Sequence, residues 1–335
     1  SEQSVFVKGG PNKEPGTTTG QKEELSKQYP TKQGKSNIWD PSLYRNSNLY
    51  LDASLGCTVE FWMKLDTPTL TFYPFVIGNT QTGNPLNGTR IQLAYSGTNS
   101  LLGFQYTDDT GTGIKGAPGR VVLNNFFEDT WNHYSFTFKN STTNSEIEIY
   151  KNGILLHTIV GGAGTNLGTI AQEELYLNIN GTMSGINGTR SNTISGMYID
   201  DFRFWKTRRT GEEIGRYWNT SVFGGTNTDD DKYNSSNRKV DLGIYYKFNE
   251  GITGESSVDE VVLDYSGRIS NGSIINYTSS VRSTGSAFDE YLDSNSEPLK
   301  NKEEREPIIY PMHPELLTEL EKYRSKGLVY DLSNN

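Results

Sequence analysis

The sequence predicts an all-β fold built as an antiparallel sandwich or barrel, and three observations support that prediction. Only 33% of the 335 residues are hydrophobic, whereas 12% are aromatic and 35 are glycine. Strands favour aromatic and β-branched residues, and tight turns need Gly and Asn, so this composition argues against a helical protein. Many short alternating segments also follow one another without long helices between them.

The charge balance and the distribution of apolar residues argue against two classes of function. Thirty-one basic and 40 acidic side chains give a net charge of −9. That balance disfavours nucleic-acid binding, which requires a clustered basic surface. No apolar run approaches the roughly 18 residues of a membrane span. The chain does not begin with Met and has no signal pattern, so we expect either processing or a longer parent polypeptide.

Residues 1–36 are predicted to be an extended arm or linker. They contain Gly9-Gly10-Pro11 and Pro15-Gly16, then a threonine run and a lysine-rich polar stretch, with no apolar periodicity. Such an arm is either disordered or wraps a neighbouring subunit, and the sequence leaves both alternatives open.

The strand pattern begins after residue 38. Residues 58–65 alternate so that Val59, Phe61, Met63 and Leu65 share one face. Other segments have the same character and are separated by turns rich in Gly, Asn, Thr and Pro. They are residues 49–51, 75–77, 90–95, 101–106, 120–123, 175–179, 196–205, 242–248, 261–263 and 272–276.

The clearest local prediction is a β-hairpin. Residues 131–139 alternate, with Tyr134, Phe136 and Phe138 on one face. Residues 146–150 then reach Asn152-Gly153 and return as residues 154–157. Asn-Gly tolerates the positive φ angles of a tight turn, which is the strongest short-range signal for a hairpin.

Two helices are predicted, and the second is amphipathic. The first is short and covers residues 212–218. The second covers residues 314–323, begins with a proline and is followed by Gly327. Its apolar stripe comprises Leu316, Leu317, Leu320 and Tyr323. We expect this stripe to make assembly contacts with other subunits, because the helix alone has nothing to bury it.

Three stretches resemble the laminin-G-like, concanavalin A-like jelly roll. They are residues 58–64 (TVEFWMK), residues 131–137 (WNHYSFT) with 149–153 (IYKNG), and residues 197–205 (MYIDDFRFW) with 210–214 (TGEEI). Their order and spacing match the family over roughly residues 40–220. The resemblance implies a two-sheet antiparallel jelly roll.

Residues 242–251 (LGIYYKFNEG) and 263–267 (LDYSG) are similar to a strand pair that opens such modules in the family. They come late in this chain, and no second copy of the 58–64 pattern follows. We therefore expect one jelly roll over residues 37–285 that late strands close, followed by a C-terminal linker and helix over 286–335.

The Asn-, Thr- and Gly-rich texture with one cysteine resembles virion structural proteins of tailed phages that carry laminin-G-like modules. This resemblance implies a non-enzymatic structural role in the tail, baseplate or capsid periphery, located in the virion. Its partners would be other virion subunits and a host-surface glycan. The alternative is a free carbohydrate-binding lectin or adhesin at a cell surface, and a weaker one is a polysaccharide hydrolase.

Catalysis is not expected. Hydrolases of the related family take their carboxylates from one strand as Glu-x-Asp-x-(x)-Glu, and this motif does not occur in the chain. Glu146 and Glu148 alternate on one strand, and we interpret them as solvated acids of an outer face. His133 and His157 lie on strands expected to pair in one sheet, with no clustered ligand set. Cys57 is interpreted as a small buried residue.

No cofactor is required by this interpretation, and calcium is the ligand hypothesis. Modules of this type often hold one ion through carboxylates and carbonyls, since a hard cation takes about six to eight oxygens. Asp200 or Asp201 matches the family's aspartate before the arginine strand, and Asp52 is a further candidate. The weaker candidates are Asp40 and the run of Asp229, Asp230 and Asp231.

A glycan site needs exposed aromatic faces beside polar groups. Tyr73, Tyr106 and Trp218 are the candidates for stacking against sugar. Most other aromatics lie on the alternating strands, and we expect Trp62, Trp131 and Trp205 to be core residues.

Overall fold

The structure, a computed structural model, describes twelve parts of the chain. They are residues 4–11, 49, 51–67, 71–78, 88–168, 174–181, 194–222, 242–250, 260–266, 271–278, 281–282 and 287–295. All of them except Asn295 belong to the compact unit of residues 1–294.

The described residues form fifteen strands, and every strand pair among them is antiparallel. In chain order the strands are β1 (Ser4–Pro11), β2 (Cys57–Leu65), β3 (Thr71–Gly78), β4 (Arg90–Ser96), β5 (Leu101–Thr107), β6 (Gly113–Ile114), β7 (Arg120–Val122), β8 (Asn132–Asn140), β9 (Ser145–Lys151), β10 (Ile154–Val160), β11 (Glu174–Ile179), β12 (Met197–Trp205), β13 (Leu242–Tyr246), β14 (Val261–Val262) and β15 (Gly272–Ile275).

The strands form two sheets. Sheet I has nine strands in the order β14-β15-β1-β11-β3-β4-β5-β6, and β7 also pairs with β5. Sheet II has six strands in the order β10-β9-β8-β2-β12-β13. The predicted fold class, a two-sheet antiparallel jelly roll, is confirmed. The segments predicted at 175–179 and 196–205 are both strands, but β11 belongs to sheet I and β12 to sheet II.

The main core lies between the two sheets and is rich in aromatic rings. Val59, Phe61, Met63 and Leu65 of β2 are all buried in it, as their alternation predicts. The ring of Phe61 lies 6.1 Å from that of Phe75 in sheet I and 5.9 Å from that of Phe136 in sheet II. Rings at this spacing pack efficiently, and each buries a large apolar area.

The predicted hairpin forms as β9 and β10. Asn152 has φ of 49° and Gly153 has φ of 77°, the pair of positive angles expected for this turn. Strand β10 lies at the edge of sheet II, and its pairing with β9 has a register shift between Leu155 and His157. Such a bulge is typical of a sheet edge.

The described residues contain two α-helices and two short 3₁₀ turns. Helix α1 (Gly211–Tyr217) confirms the first helix prediction, and a capping box between Thr210 and Glu213 fixes its start. Helix α2 (Ala287–Asn295) lies in the segment expected to be a linker. The 3₁₀ turns are Gly97–Asn99 and Ala117–Gly119. None of these helices is long and apolar enough to cross a membrane.

Part of the predicted N-terminal arm is a strand. Residues 4–11 form β1, which pairs with β11 on one side and with β15 on the other. The rest of the predicted arm lies outside the described residues, and so does the predicted helix 314–323 with Leu316, Leu317, Leu320 and Tyr323.

Candidate functional site

The central part of the outer face of sheet II is buried, although it lies opposite the main core. Strand alternation places Glu60 and Trp62 of β2 and His133 of β8 on this face, and all three are at most 2% exposed. Trp62 packs against Trp218, which follows α1, and against Tyr291 of α2, with ring centroids 5.6 and 5.4 Å apart. We call this surface the covered face of sheet II.

A carboxylate bound by two arginines lies at the centre of the covered face. Glu60 accepts hydrogen bonds from Trp205 Nε1 at 3.0 Å and from Ser135 Oγ at 3.2 Å. Its oxygens lie 3.6 Å from Arg209 Nε and 3.9 Å from Arg203 Nη1. Burial alone would raise the pKa of Glu60, but the two guanidinium groups and the Trp205 hydrogen bond outweigh burial and lower it.

His133 is buried beside this carboxylate. Neither ring nitrogen has a hydrogen-bond partner, and the ring packs 5.5 Å from the ring of Trp62. Burial lowers the pKa of His133 to about 3, because the cationic form would lose its hydration. The side chain is therefore neutral near pH 7.

Glu148 forms a second bound carboxylate on sheet II, so the interpretation of this residue as a solvated acid is wrong. Its oxygens accept hydrogen bonds from Thr137 at 2.8 Å, Tyr150 at 3.0 Å and Arg208 at 3.0 Å. These contacts hold the pKa of Glu148 below its ordinary value, although burial acts in the opposite direction. Glu146 pairs with Lys139 at 2.8 Å.

The aspartates predicted to bind calcium have other partners. Asp52 Oδ1 accepts hydrogen bonds from the amide and hydroxyl of Ser54 within its own turn. Asp201 pairs with Arg203 at 3.0 Å. The described residues hold no group of three or more His, Cys, Asp or Glu side chains arranged to bind a metal. Asp40, Asp229, Asp230 and Asp231 lie outside the described residues.

Asp200 connects sheet II to helix α2. Its carboxylate accepts the amide of Ala287, the first residue of α2, at 3.3 Å and the amide of Asp201 at 2.9 Å. Burial, together with the charge of Asp201, raises the pKa of Asp200 to about 6. Calcium binding by Asp52, Asp200 or Asp201 stays a prediction, and it would need several oxygens to converge on one ion.

The three predicted glycan-binding aromatics do not form one site. Tyr106 is 2% exposed in the main core, where its ring lies 5.4 Å from that of Phe138, so its prediction as a stacking surface is wrong. Tyr73 is half-buried on β3 of sheet I. Trp218 is half-buried over sheet II.

An exposed aromatic site that the sequence reasoning missed lies at the edge of the covered face. Tyr198 is 37% exposed, and its hydroxyl donates to Asp66 at 3.2 Å. The ammonium of Lys64 lies 5.0 Å from the Tyr198 ring centre and 3.4 Å from Glu290, which also accepts the Trp131 indole at 2.7 Å. We call Lys64, Asp66, Tyr198 and Glu290 the Tyr198 patch. The available signal was the strand alternation, which places Lys64 on the outward side of β2; its pairing with Tyr198 of β12 is visible only in the structure.

The remaining residues singled out from the sequence occupy ordinary positions. Cys57 is fully buried, as predicted, and burial raises the pKa of its thiol. His133 and His157 lie in one sheet, but β9 separates their strands. Trp62, Trp131 and Trp205 are buried as predicted, although they lie in two satellite clusters outside the main core.

The chain belongs to the concanavalin A-like lectin/glucanases superfamily. Residues 43–215, which are 173 of the 335 residues, match its laminin-G family model. This range contains strands β2 to β12 and the first five residues of helix α1. No curated protein sequence matches the chain.

Three solved structures are distantly similar. A heptameric SAP-like pentraxin from Limulus polyphemus is 13% identical with a TM-score of 0.36, covering 64% of this chain and 80% of that chain. The sialidase CBM40 of Ruminococcus gnavus bound to α2,3-sialyllactose is 14% identical with a TM-score of 0.32, covering 49% and 83%. Trypanosoma rangeli sialidase with sialic acid is 16% identical with a TM-score of 0.32, covering 49% and 23%. These similarities are too low to carry an argument about ligand.

Proposed function

We propose that the chain is a non-enzymatic structural module of a tailed-phage virion, which presents its jelly roll on the particle surface and contacts host glycans. Membership of the lectin/glucanase superfamily supports the binding of carbohydrate. The Asn-, Thr- and Gly-rich composition, which resembles that of tailed-phage structural proteins, supports a place in the virion. One observation supports the proposal that the chain is not an enzyme. The segment 206–222 and helix α2 lie over the covered face of sheet II, so this face is not an open cleft.

A glycosidase needs two carboxyl groups that face each other across an open cleft, about 5–5.5 Å or 6.5–9.5 Å apart. The two buried carboxylates of sheet II are instead bound by basic side chains, Glu60 by Arg203 and Arg209 and Glu148 by Arg208. A carboxylate whose pKa is lowered in this way is a poor general acid, because it does not hold a proton near neutral pH. These contacts therefore favour a structural role for both acids.

The Tyr198 patch is the candidate glycan contact. It combines a partly exposed ring with a lysine and two carboxylates, the kinds of group that a sugar stacks on and hydrogen-bonds to. Contact with sugar at this place needs no cofactor and no calcium.

The particle association is tested by ultracentrifugation of the native phage lysate with peptide mass spectrometry of the heavy fraction. Peptides of this chain should sediment with the other structural proteins. Recovery only in the soluble fraction would overturn the virion role and favour the free lectin. Incubation of the purified chain with bacterial polysaccharides should release no reducing ends.

The glycan contact is tested separately on a glycan array, with and without EDTA. We expect Tyr198→Ala to weaken binding about tenfold, a loss typical of one removed aromatic contact. Tyr265→Ala is the matched control, because Tyr265 is also exposed, at 45%, but lies outside the patch. Equal binding by the two variants would remove the patch from the proposal.

A further inference from the structure

Strand β1 is an interior strand of sheet I that comes from outside the family module. The matched range begins at residue 43, whereas β1 covers Ser4–Pro11. Five residue pairs join β1 to β11, from Val5 opposite Ile179 to Pro11 opposite Glu174. Three further pairs join it to β15. The jelly roll therefore receives this strand from a remote part of the sequence.

Within the described strands, β1 alone connects the β14–β15 pair to the rest of sheet I. The order β14-β15-β1-β11 gives β15 and β11 no direct pairing. Neighbouring strands lie about 4.8 Å apart, so β15 and β11 border a slot that is one strand wide. Backbone N–H and C=O groups on both sides of the slot require a strand to satisfy them.

The slot also accommodates one side chain of β1, that of Val5. Val5 is 8% exposed and belongs to the main core. A Cβ atom at Gly272 of β15 would lie 2.9 Å from Cγ1 of Val5, so the glycine makes room for the valine. A strand that enters the slot in this register therefore gains both ladder hydrogen bonds and one buried apolar contact.

The covalent connection allows the strand to come from either of two chains. Residues 12–48, 37 in number, separate β1 from Leu49. At about 3.3–3.6 Å per residue, the maximum reach of such a connection is on the order of 100 Å, which exceeds the dimensions of one jelly roll.

We propose that the slot between β11 and β15 is a strand-acceptor site whose second occupant is β1 of another copy of this chain. Exchange of an identical element costs little, because each copy keeps the same contacts. When copies are dilute, each chain fills its own slot. When copies are crowded, as on a particle surface, the strand of a neighbour competes and the copies become linked. The proposal depends on sheet I alone and holds whether or not the chain binds glycan.

Disulfide trapping between two different full-length copies tests the exchange. Phe6 is paired with Ser273 of β15. Paired residues on adjacent antiparallel strands have Cα atoms about 4.5–5.5 Å apart, which a disulfide can span. One copy carries Phe6→Cys and the other carries Ser273→Cys. The mixture is held at about 10 µM or about 1 mM, two concentrations that differ about a hundredfold, and is then oxidised. Cys57 is buried and common to all variants.

A covalent heterodimer should form, and its yield should rise severalfold at the higher concentration. Phe6→Cys mixed with Ile275→Cys is the matched control, because Ile275 is paired with Ser4 and lies two residues out of register. Ser4→Cys with Ile275→Cys is a second in-register pair, for use if the first does not fold. Cross-linking only within a chain that carries both cysteines would overturn the proposal. Equal yields in the control, or no cross-link in any pair, would also overturn it. This result is independent of particle association and glycan binding, which are measured on the native chain.

Discussion

Glu60 and Arg209 form an ion pair in which both side chains are almost completely buried, with Nε of the arginine 3.6 Å from the carboxylate. The guanidinium also lies 4.0 Å from the ring centre of Trp205, which itself donates to Glu60. The pair explains how the charged side chain of Glu60 can be buried on the outer face of sheet II. Arg209 comes from the segment that leads into α1, so the ion pair fixes that segment to sheet II.

Glu60→Gln should destabilise the chain strongly. The substitution removes the negative charge that faces both Arg209 and Arg203, although Arg203 keeps its ion pair with Asp201. Removal of one partner of a buried pair costs about 3–5 kcal/mol. Chemical denaturation of both proteins at pH 7 measures the difference. Glu212→Gln is the control, since Glu212 and Arg216 form an exposed i,i+4 pair worth about 0.3–0.5 kcal/mol. Similar losses in the two variants would contradict the role given to Glu60.

The sequence predicted the strands well because alternation is a local property. The inward positions of β2 and β8 could be assigned from periods of two residues alone. Burial of their opposite faces could not be predicted, because the residues that cover Trp62, such as Trp218 and Tyr291, come from segments about 155 and 230 residues later in the sequence.

Strand β1 was missed for a different reason. Its apolar residues, Val5 to Val7, are followed by Gly9-Gly10-Pro11, which is a turn signal in isolation. The partners that make this segment a strand are β11 and β15, which are remote in sequence. The alternation around Glu148 likewise predicts a solvated acid, because nothing near this residue in the sequence indicates Arg208 as its partner. The burial and partners of the site residues therefore depended on long-range contacts, whereas most strands could be predicted from local alternation.

His133 should make the stability depend on pH in the acid range. Its pKa is lowered to about 3 in the fold, whereas an unfolded histidine titrates near 6.5, so the unfolded chain binds more protons between these values. The contribution is fully present above pH 6.5 and is lost as the pH falls towards 3. Between pH 7.5 and 4.5 the expected loss is about 2.7 kcal/mol. His133→Gln should remove this part of the pH dependence, as measured by denaturation at pH 7.5 and 4.5. His157→Gln, on the exposed strand β10, is the control and should follow the native chain.

Asp200 should make the stability fall as the pH rises, which is the opposite of the effect of His133. Its pKa is raised to about 6 in the fold, against 3.8 as the ordinary value, so the folded chain binds more protons between these values. Its stabilising contribution is complete below pH 3.8 and is lost as the pH rises through 6. Asp200→Asn keeps an acceptor for the Ala287 amide but does not titrate. Relative to the native chain, this variant should gain about 2–3 kcal/mol between pH 4 and pH 7. A difference that stays constant with pH, in paired denaturation curves, would exclude the proposed shift.

A larger residue at position 153 should destabilise the chain, because Gly153 has a positive φ angle and lies against Trp218. Its φ of +77° disfavours any L side chain, and a Cβ atom there would lie 2.4 Å from Cδ1 of Trp218. Gly153→Ala should therefore destabilise the chain by about 1–3 kcal/mol and change the tryptophan fluorescence, because Trp218 must move away from the turn. Gly162→Ala is the matched control: Gly162 is an exposed glycine with no atom within 4 Å of the added Cβ and no positive φ. That control should be neutral or slightly stabilising, because alanine reduces the entropy of the unfolded chain. If Gly153→Ala lowered the stability but left the fluorescence unchanged, backbone strain alone would account for the loss. Trp218 would then not rest on the hairpin turn, and the covered face would depend on α2 and the arginines alone.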